Sequence, residues 1–191
     1  MKKLFLAAML VMASVAMVMA QPRAIGGRLG YGVEFSYEHQ LGQNMLSIDA
    51  GFPGLFISGI GIEAAATYDW INPFGTAIPW DERGEWNWYM GVGAGVGAYF
   101  DLVGGWHGND YAIRHWNNRI FVGAAGRVGI EYNFWFPLQL SVDWRPIIGP
   151  EFGHNVVRDT KGNAISSDPY VDFCLDGLYM GGIALGVRYK F

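Results

Sequence analysis

Acidic residues and arginines recur at even spacings within several runs of this chain of 191 residues, with apolar residues between them. Glu131 follows Arg127 by four positions, and Arg145 follows Asp143 by two. On a strand, such spacing places the charges on one face, where they can form ion pairs or line a path for protons or ions. The polar candidates are Arg28, Glu34, Asp49, Glu63, Arg127, Glu131, Asp143, Arg145 and Arg188.

Histidines and serines are the other residues whose types would allow catalysis or metal binding. The histidines are His39, His107, His115 and His154. A serine nucleophile needs a histidine base within reach, yet no nucleophile motif surrounds Ser166 or Ser167. His107, Asp110 and His115 offer ligand atoms, but their spacing matches no established metal site. We therefore predict no catalytic, metal-binding or cofactor-binding residue, and no cofactor.

The stretch WNWYMGVGAGVGAYFD indicates which element carries such faces. From Trp86 to Phe100 every even position is apolar, with aromatic residues at both ends and small aliphatic residues between them. A repeat of two residues indicates a strand, and this profile is typical of one that crosses a bilayer. The other face carries glycines from Gly91 to Gly97, and glycine is normally kept where another group comes close. We expect this face to point into a confined space, where the glycines make room for arginine and tyrosine side chains from other strands.

Seven runs share this alternation. They lie near residues 24–38, 44–52, 56–70, 86–100, 118–134, 138–148 and 177–191. Bacterial single-chain membrane barrels contain an even number of strands, so we expect an eighth. Either Gly30, Tyr31 and Gly32 form a tight turn that divides the first run, or a short strand lies near Ile147 to Asn155.

Composition and the N-terminal residues favour an exported membrane barrel over a cytosolic enzyme. Glycine occurs 28 times, and charged residues make up 16%, below the roughly 25% of soluble domains. Lys2 and Lys3 precede an apolar run that ends at Ala20, which is the pattern of a secretory signal peptide. We therefore expect a signal peptide over residues 1–20 and a barrel over residues 21–191. Without these two lysines, 17 acidic residues face 11 of the 13 basic ones, which disfavours a nucleic-acid partner.

The end of the chain carries a family resemblance. The sequence GVRYKF, with Tyr189 and the terminal Phe191, resembles the C-terminal insertion signal of Gram-negative outer-membrane barrels. RAIGGRLGYGVEFSYEHQLG, WNWYMGVGAGVGAYF and GIEYNFWFPLQLSVDWRP are similar to the first hairpin, a middle strand and a late tight hairpin of small OmpX-like and OmpA-like barrels, of the porin-like superfamily. The resemblance implies an outer-membrane location, contact with outer-membrane lipid, and engagement of the barrel-assembly machinery by the C-terminal strand.

The resemblance also implies that both termini lie in the periplasm. The turn at Phe136 and Pro137 would then be periplasmic, and the connections over residues 101–117 and 149–176 would be outer loops. These connections contain aromatic residues suited to binding an external ligand. The candidates are Trp106, Tyr111, Trp116, Phe152 and Tyr170.

The sequence thus predicts an all-β fold, an eight-stranded antiparallel up-and-down transmembrane β-barrel. The interior of an eight-stranded barrel is only wide enough for side chains to fill, so the inward charges must pair and the lumen should not conduct. We predict a structural or surface-interaction role in the cell envelope and no enzymatic activity. Two alternatives remain open, a lipid hydrolase or acyltransferase with its site at the rim, and a small channel.

Overall fold

The computed structural model describes residues 22–54, 60–75, 83–100, 105–106, 113–159, 164–178 and 182–191. The predicted signal peptide lies outside these ranges. The described residues form strands joined by turns, and they contain no helix long and apolar enough to cross a membrane. The strands are β1 (Pro22–Leu29), β2 (Val33–Leu41), β3 (Asn44–Phe52), β4 (Ile60–Pro73), β5 (Gly84–Phe100), β6 (Gly105–Trp106), β7 (Ile113–Phe134), β8 (Leu138–Trp144), β9 (Ile147–Asp159), β10 (Ala164–Asp176) and β11 (Ile183–Lys190).

Eight strand positions close into an antiparallel barrel. β1 to β5 follow one another round the wall, and β7 comes next. β8 pairs with β7, and β11 pairs with both β8 and β1, which completes the ring. The predicted eight-stranded antiparallel barrel is therefore confirmed. We call the end that carries Pro22 and Phe191 the inner end, and the opposite end the outer end.

The eighth strand comes from the first run of the sequence. β1 ends at Leu29 and β2 begins at Val33, so Gly30, Tyr31 and Gly32 form the turn between them. The backbone N–H of Gly30 donates a hydrogen bond to the carbonyl of Gly32 at 3.0 Å. The first of the two predicted positions for the hidden strand is therefore confirmed.

The predicted outer loop over residues 149–176 is wrong for most of its length. β9 and β10 are strands of 13 residues each, and they pair as an antiparallel hairpin. β9 continues β8 along β7 in an unchanged register, since Asn133 opposes Gln139 near the turn and Ile113 opposes Asp159 at the far end. The other predicted loop, over 101–117, is also shorter, because β7 begins at Ile113.

β10 and β11 share the last strand position, with a bulge between them. Trp144 of β8 opposes Ile183, whereas Ile147 of β9 opposes Asp176. Trp144 and Ile147 are three positions apart, whereas their partners Ile183 and Asp176 are seven positions apart. The chain between β10 and β11 therefore contains four residues more than a regular pairing would need. The second edge of β10 pairs with no strand of the described residues.

Pairing round the barrel fixes the tilt of its strands. One inward-facing series runs Glu131, Ser141, Gly186, Arg28, Glu34, Gly51, Glu63, Gly97 and Phe121. It returns to β7 at Phe121, ten residues from Glu131. With about 3.3 Å per residue and about 4.8 Å between strands, this stagger over eight strands gives a tilt of about 40°.

The two faces of the wall differ in chemistry, as the alternation predicts. Val92 is 59% exposed, whereas Arg127 is 3% exposed. On β7 the outward positions from Tyr132 to Ile120 are apolar residues or glycine, and twelve residues at this tilt cover a height of about 30 Å. We call this outward surface the apolar belt.

Beyond Ile120 the belt ends, because the next outward row contains Asn118 and His154. The strands continue past that row. We call residues 113–119 of β7, 153–159 of β9 and 164–170 of β10 the outer extension.

The inward glycines of β5 lie where side chains from other strands enter the lumen. A Cβ on Gly97 would stand 2.5 Å from the ring of Phe121, and one on Gly91 would overlap the carboxylate of Asp69. Gly95 faces Ile147 in the same way. The confined space is as expected, but the neighbours of these three glycines are acidic or apolar rather than arginine or tyrosine. The expected tyrosines lie instead beside glycines of other strands, since a Cβ on Gly61 would stand 2.7 Å from Tyr99 and one on Gly129 2.7 Å from Tyr89.

Candidate functional site

Arg127 lies in the middle of the lumen with its side chain fully buried. Its guanidinium donates to Asp143 at 3.0 Å and to Asp69 at 3.3 Å, and it stands 5.0 Å from the centre of the Tyr89 ring. Arg28 pairs with the same carboxylate of Asp143. A buried charge is tolerated only when it is paired and hydrogen-bonded, and each of these groups meets that condition.

Arg145 forms a second cluster on the outer side of Arg28. Its two terminal nitrogens lie 2.8 Å from Asp49, 2.7 Å from Glu34 and 2.7 Å from Glu63. Glu34 also pairs with Arg28, so the two clusters form one network. These acids come from β2, β3 and β4, and the network therefore ties neighbouring strands across the lumen.

A third cluster fills the inner end. Arg23 lies 2.6 Å from Glu38 and also pairs with Glu131. Arg188 lies 3.3 Å from Glu38. The amide of Gln139 donates to Glu38 at 3.0 Å and to Glu131 at 2.8 Å, so it bridges the two acids.

All nine polar candidates lie on the inward face, and each takes part in an ion pair of these clusters. Arg23, Tyr89 and Gln139 are not among the candidates. Tyr89 lies at an odd-numbered position of β5, as the inward glycines do, so the alternation already indicated that its side chain faces the lumen. The inward positions of β1 are even-numbered, so the alternation would place Arg23 on the outward face. Arg23 faces the lumen because the pairing of β1 with β2 shifts register between Pro22 and Ala24.

An apolar layer lies above the ionic network, toward the outer end. It consists of Ala65, Phe121, Ala125, Ile147 and Cys174, all buried, with Tyr99 packed against them. The Phe121 and Tyr99 rings stack with centroids 5.8 Å apart. This layer fills the lumen between the charged residues below and the outer extension above.

The aromatic candidates for ligand binding are placed differently from one another. Phe152 lies on β9 and Tyr170 on β10, in strands rather than in a loop, and Trp116 lies on β7. Phe152 is exposed at the top of the apolar belt, whereas the Tyr170 hydroxyl faces the lumen side and donates to Glu151 at 2.9 Å. Trp106 lies on β6, and Tyr111 falls outside the described residues.

Tyr189 and Phe191, the candidates for the insertion signal, lie at the inner end of the wall. Both are exposed, and their rings meet edge to face with centroids 5.1 Å apart. β11 carries Tyr189 and closes the barrel by pairing with β1. The residues are thus on the outward face of the closing strand.

The serine–histidine pair and the metal ligands considered from the sequence are not brought together among the described residues. None of the hydrogen bonds within that part of the chain joins His154 to a serine or a carboxylate, and that part contains no group of three or more histidine, cysteine or acidic side chains placed so that it could hold a metal ion. His107 and Asp110 lie outside the described ranges. What the arrangement does chemically is neutralise a packed set of charges, and each member binds another member.

Comparison with family models, with curated proteins and with solved structures gives no match for this chain.

Proposed function

We propose that this chain is an integral outer-membrane β-barrel protein of a Gram-negative bacterium, with a structural or surface-interaction role and a packed lumen that does not conduct. The apolar belt carries the proposal. It is about 30 Å tall on β7, close to the roughly 25 Å apolar band of membrane barrels, and it surrounds a lumen filled with charged residues. A water-soluble barrel would need the opposite arrangement, with the charges outside.

Aromatic residues at the inner edge of the belt add support. Trp86, Tyr132, Phe134 and Phe136 form a chain of ring contacts there, and Tyr189 and Phe191 lie at the same end. Such rings are enriched at the level of the lipid headgroups. The resemblance of the C-terminal residues to an insertion signal points to the outer membrane and to the barrel-assembly machinery.

The outer extension supports the surface-interaction part of the role. Its three strands continue past the last apolar row, so they would stand outside the bilayer. Ser167 and Asp168 of β10 are exposed there. An external ligand would meet this sheet, with Phe152 at its base.

Membrane insertion is the decisive test. The chain without residues 1–20 should need detergent or lipid to stay in solution, and it should refold into liposomes as a form that migrates faster in gels before boiling than after. In planar bilayers the refolded protein should give no stable conductance, because ionic and apolar layers fill the lumen. A protein that dissolves freely without detergent would contradict the proposal, and steady channels would favour the channel alternative.

Orientation is tested by labelling cells with a maleimide that does not cross membranes. In a background that carries Cys174→Ser, Ser167→Cys should be labelled from outside, because this exposed residue lies in the outer extension. Arg83→Cys, exposed at the inner end, is the matched control and should be labelled only after lysis. The reverse pattern would place the extension in the periplasm.

A further inference from the structure

A groove of about 780 Å³ runs along the outside of the barrel near the inner end, across β5, β7, β8 and β11. Two rows of paired residues form its floor. Tyr132 opposes Leu140, which opposes Val187, and in the next row Val142 opposes Leu185. The floor is therefore aliphatic over β8 and β11.

Large rings form one wall of the groove. Trp86 packs against Tyr132 with ring centroids 4.8 Å apart, Tyr132 meets Phe134 at 4.6 Å, and Phe134 meets Phe136 at 4.9 Å. Each ring contacts the next, and the rings are larger than the leucine and valine side chains beside them, so the row forms a raised edge along the groove. A rigid aromatic wall beside an aliphatic floor suits one extended hydrocarbon chain better than a bulky apolar group.

Arg83 is the charged residue among the described residues that line the groove. It is exposed at the inner end, and its carbonyl accepts a hydrogen bond from the backbone N–H of Trp135 at 3.0 Å, which fixes the backbone beside the aromatic wall. Among the described residues, no aspartate or glutamate belongs to the lining and no carboxylate pairs with Arg83. A guanidinium is suited to phosphate because its fork of N–H donors matches two phosphate oxygens.

We propose that this groove binds one anionic phospholipid of the inner leaflet, with an acyl chain along Leu140 and Val187 and the headgroup phosphate on Arg83. The inference rests on the membrane placement proposed above. In that placement the groove faces lipid, and Arg83 lies among aromatic residues at the depth of the headgroups. The positive charge of Arg83 favours an anionic headgroup over a zwitterionic one, because the described part of the lining offers no carboxylate for a headgroup amine.

The test is native mass spectrometry of the refolded protein in detergent, titrated with phosphatidylglycerol or with phosphatidylcholine of the same acyl chains. The unmodified protein should bind one phosphatidylglycerol about tenfold more tightly than phosphatidylcholine, the size expected for charge-assisted hydrogen bonds. Arg83→Ala should abolish this preference. Arg119→Ala removes an arginine near the outer end, outside the groove, and should leave the preference unchanged.

A second pair of variants tests the floor. Leu140→Trp or Val187→Trp fills the groove with a ring at an outward position, and each should weaken binding of both lipids at least about tenfold if the acyl chain lies there. Gel migration before boiling reports that each variant is folded. Equal affinity of the unmodified protein for both lipids, or a preference that survives Arg83→Ala, would overturn the site while leaving the membrane placement intact. Failure to insert into liposomes would instead remove the proposed function.

Discussion

Two arginine–carboxylate pairs, one in the middle of the closed barrel and one at the base of the outer extension, contain the same chemical groups in different surroundings. Arg127 binds Asp69 and Asp143 with all three side chains fully buried. Arg119 binds Glu151 at 3.2 Å, and the arginine side chain is 36% exposed although the glutamate side chain is only 9% exposed. Inside the ring, every strand has a partner on both sides, and the pair is shut away from solvent. In the extension, β10 pairs with β9 alone among the described residues.

The comparison shows that closure of the sheet decides how much stability is lost when one member of an ion pair is removed. A buried pair contributes little over an apolar pair of similar volume, yet removing one member leaves an unpaired charge in a medium of low dielectric constant. A partly exposed arginine gains little from its pair, because water already solvates it. Glu151 is buried, but when Arg119 is removed it keeps the hydrogen bond from the Tyr170 hydroxyl at 2.9 Å. The same substitution should therefore have different effects in the two regions.

The largest effect is expected from Arg127→Ala. It leaves Asp69 and Asp143 without their shared partner, and we expect the free energy of unfolding to fall by about 3–5 kcal/mol. The measurement is urea unfolding in lipid vesicles, followed by tryptophan fluorescence. Arg127→Lys keeps the charge but loses the fork of donors, so it should lose less. A loss below about 1 kcal/mol for the alanine variant would remove the distinction between the two regions.

Ile147→Ala tests whether the apolar layer is as closely packed as the ionic one. Ile147 is buried against Phe121 and Ala125, and truncating it should cost about 2–5 kcal/mol through lost contacts and a cavity. Ile148→Ala is the control, because this neighbour points outward and is 37% exposed. Equal losses in unfolding experiments would show that the lumen is loosely filled at this level.

A pair of lysine substitutions tests where the membrane would end. Val92 opposes Gly126, midway along the belt, whereas Val171 opposes Phe152 at its top. Val92→Lys should therefore cost about 2–4 kcal/mol in bilayers, and Val171→Lys about 0–1 kcal/mol. Unfolding of both variants in the same vesicles gives the comparison. A larger loss for Val171 would move the belt outward and bury the extension.

The smallest effect is expected from Arg119→Ala, which should cost about 0–1 kcal/mol. The dependence of this stability loss on salt concentration is a more specific test than its magnitude. About 1 M salt shortens the screening length to about 3 Å, so the difference between this variant and the unmodified protein should shrink. The difference caused by Arg127→Ala should persist, because ions do not reach a buried pair. Equal salt dependence of the two would contradict the assigned burial.

The closed barrel was predictable from the sequence because its signal is local. A repeat of two residues shows directly which face of the strand each side chain occupies. Closing the sheet into a barrel requires no further type of residue, so the local pattern is enough. Gly30 and Gly32 gave the turn that hides a strand. The inward arginines and acids of the central network followed from parity alone, since a charged residue between outward apolar neighbours has nowhere else to go.

The outer extension and Arg23 were not predictable in the same way. Pro150, Gly153 and Pro169 weaken the strand signal over residues 149–176, and proline favours edge strands such as β10. These residues form strands because β7 extends far enough to pair with β9, and β9 in turn pairs with β10. The length of β7 is a property of a different segment of the chain. Arg23 depends on a register shift that leaves no mark in the composition.

The pairing of β1 with β11 joins Ala24 to Lys190, almost the whole length of the chain apart. All other neighbours in the wall are nearer in sequence, and hairpins such as β7 with β8 can form early from their own turns. Contacts between distant segments form slowly because they close a long loop. Until they form, β1 and β11 present unpaired backbone to any other strand, so the last closure is the stage at which nascent chains are most prone to join one another.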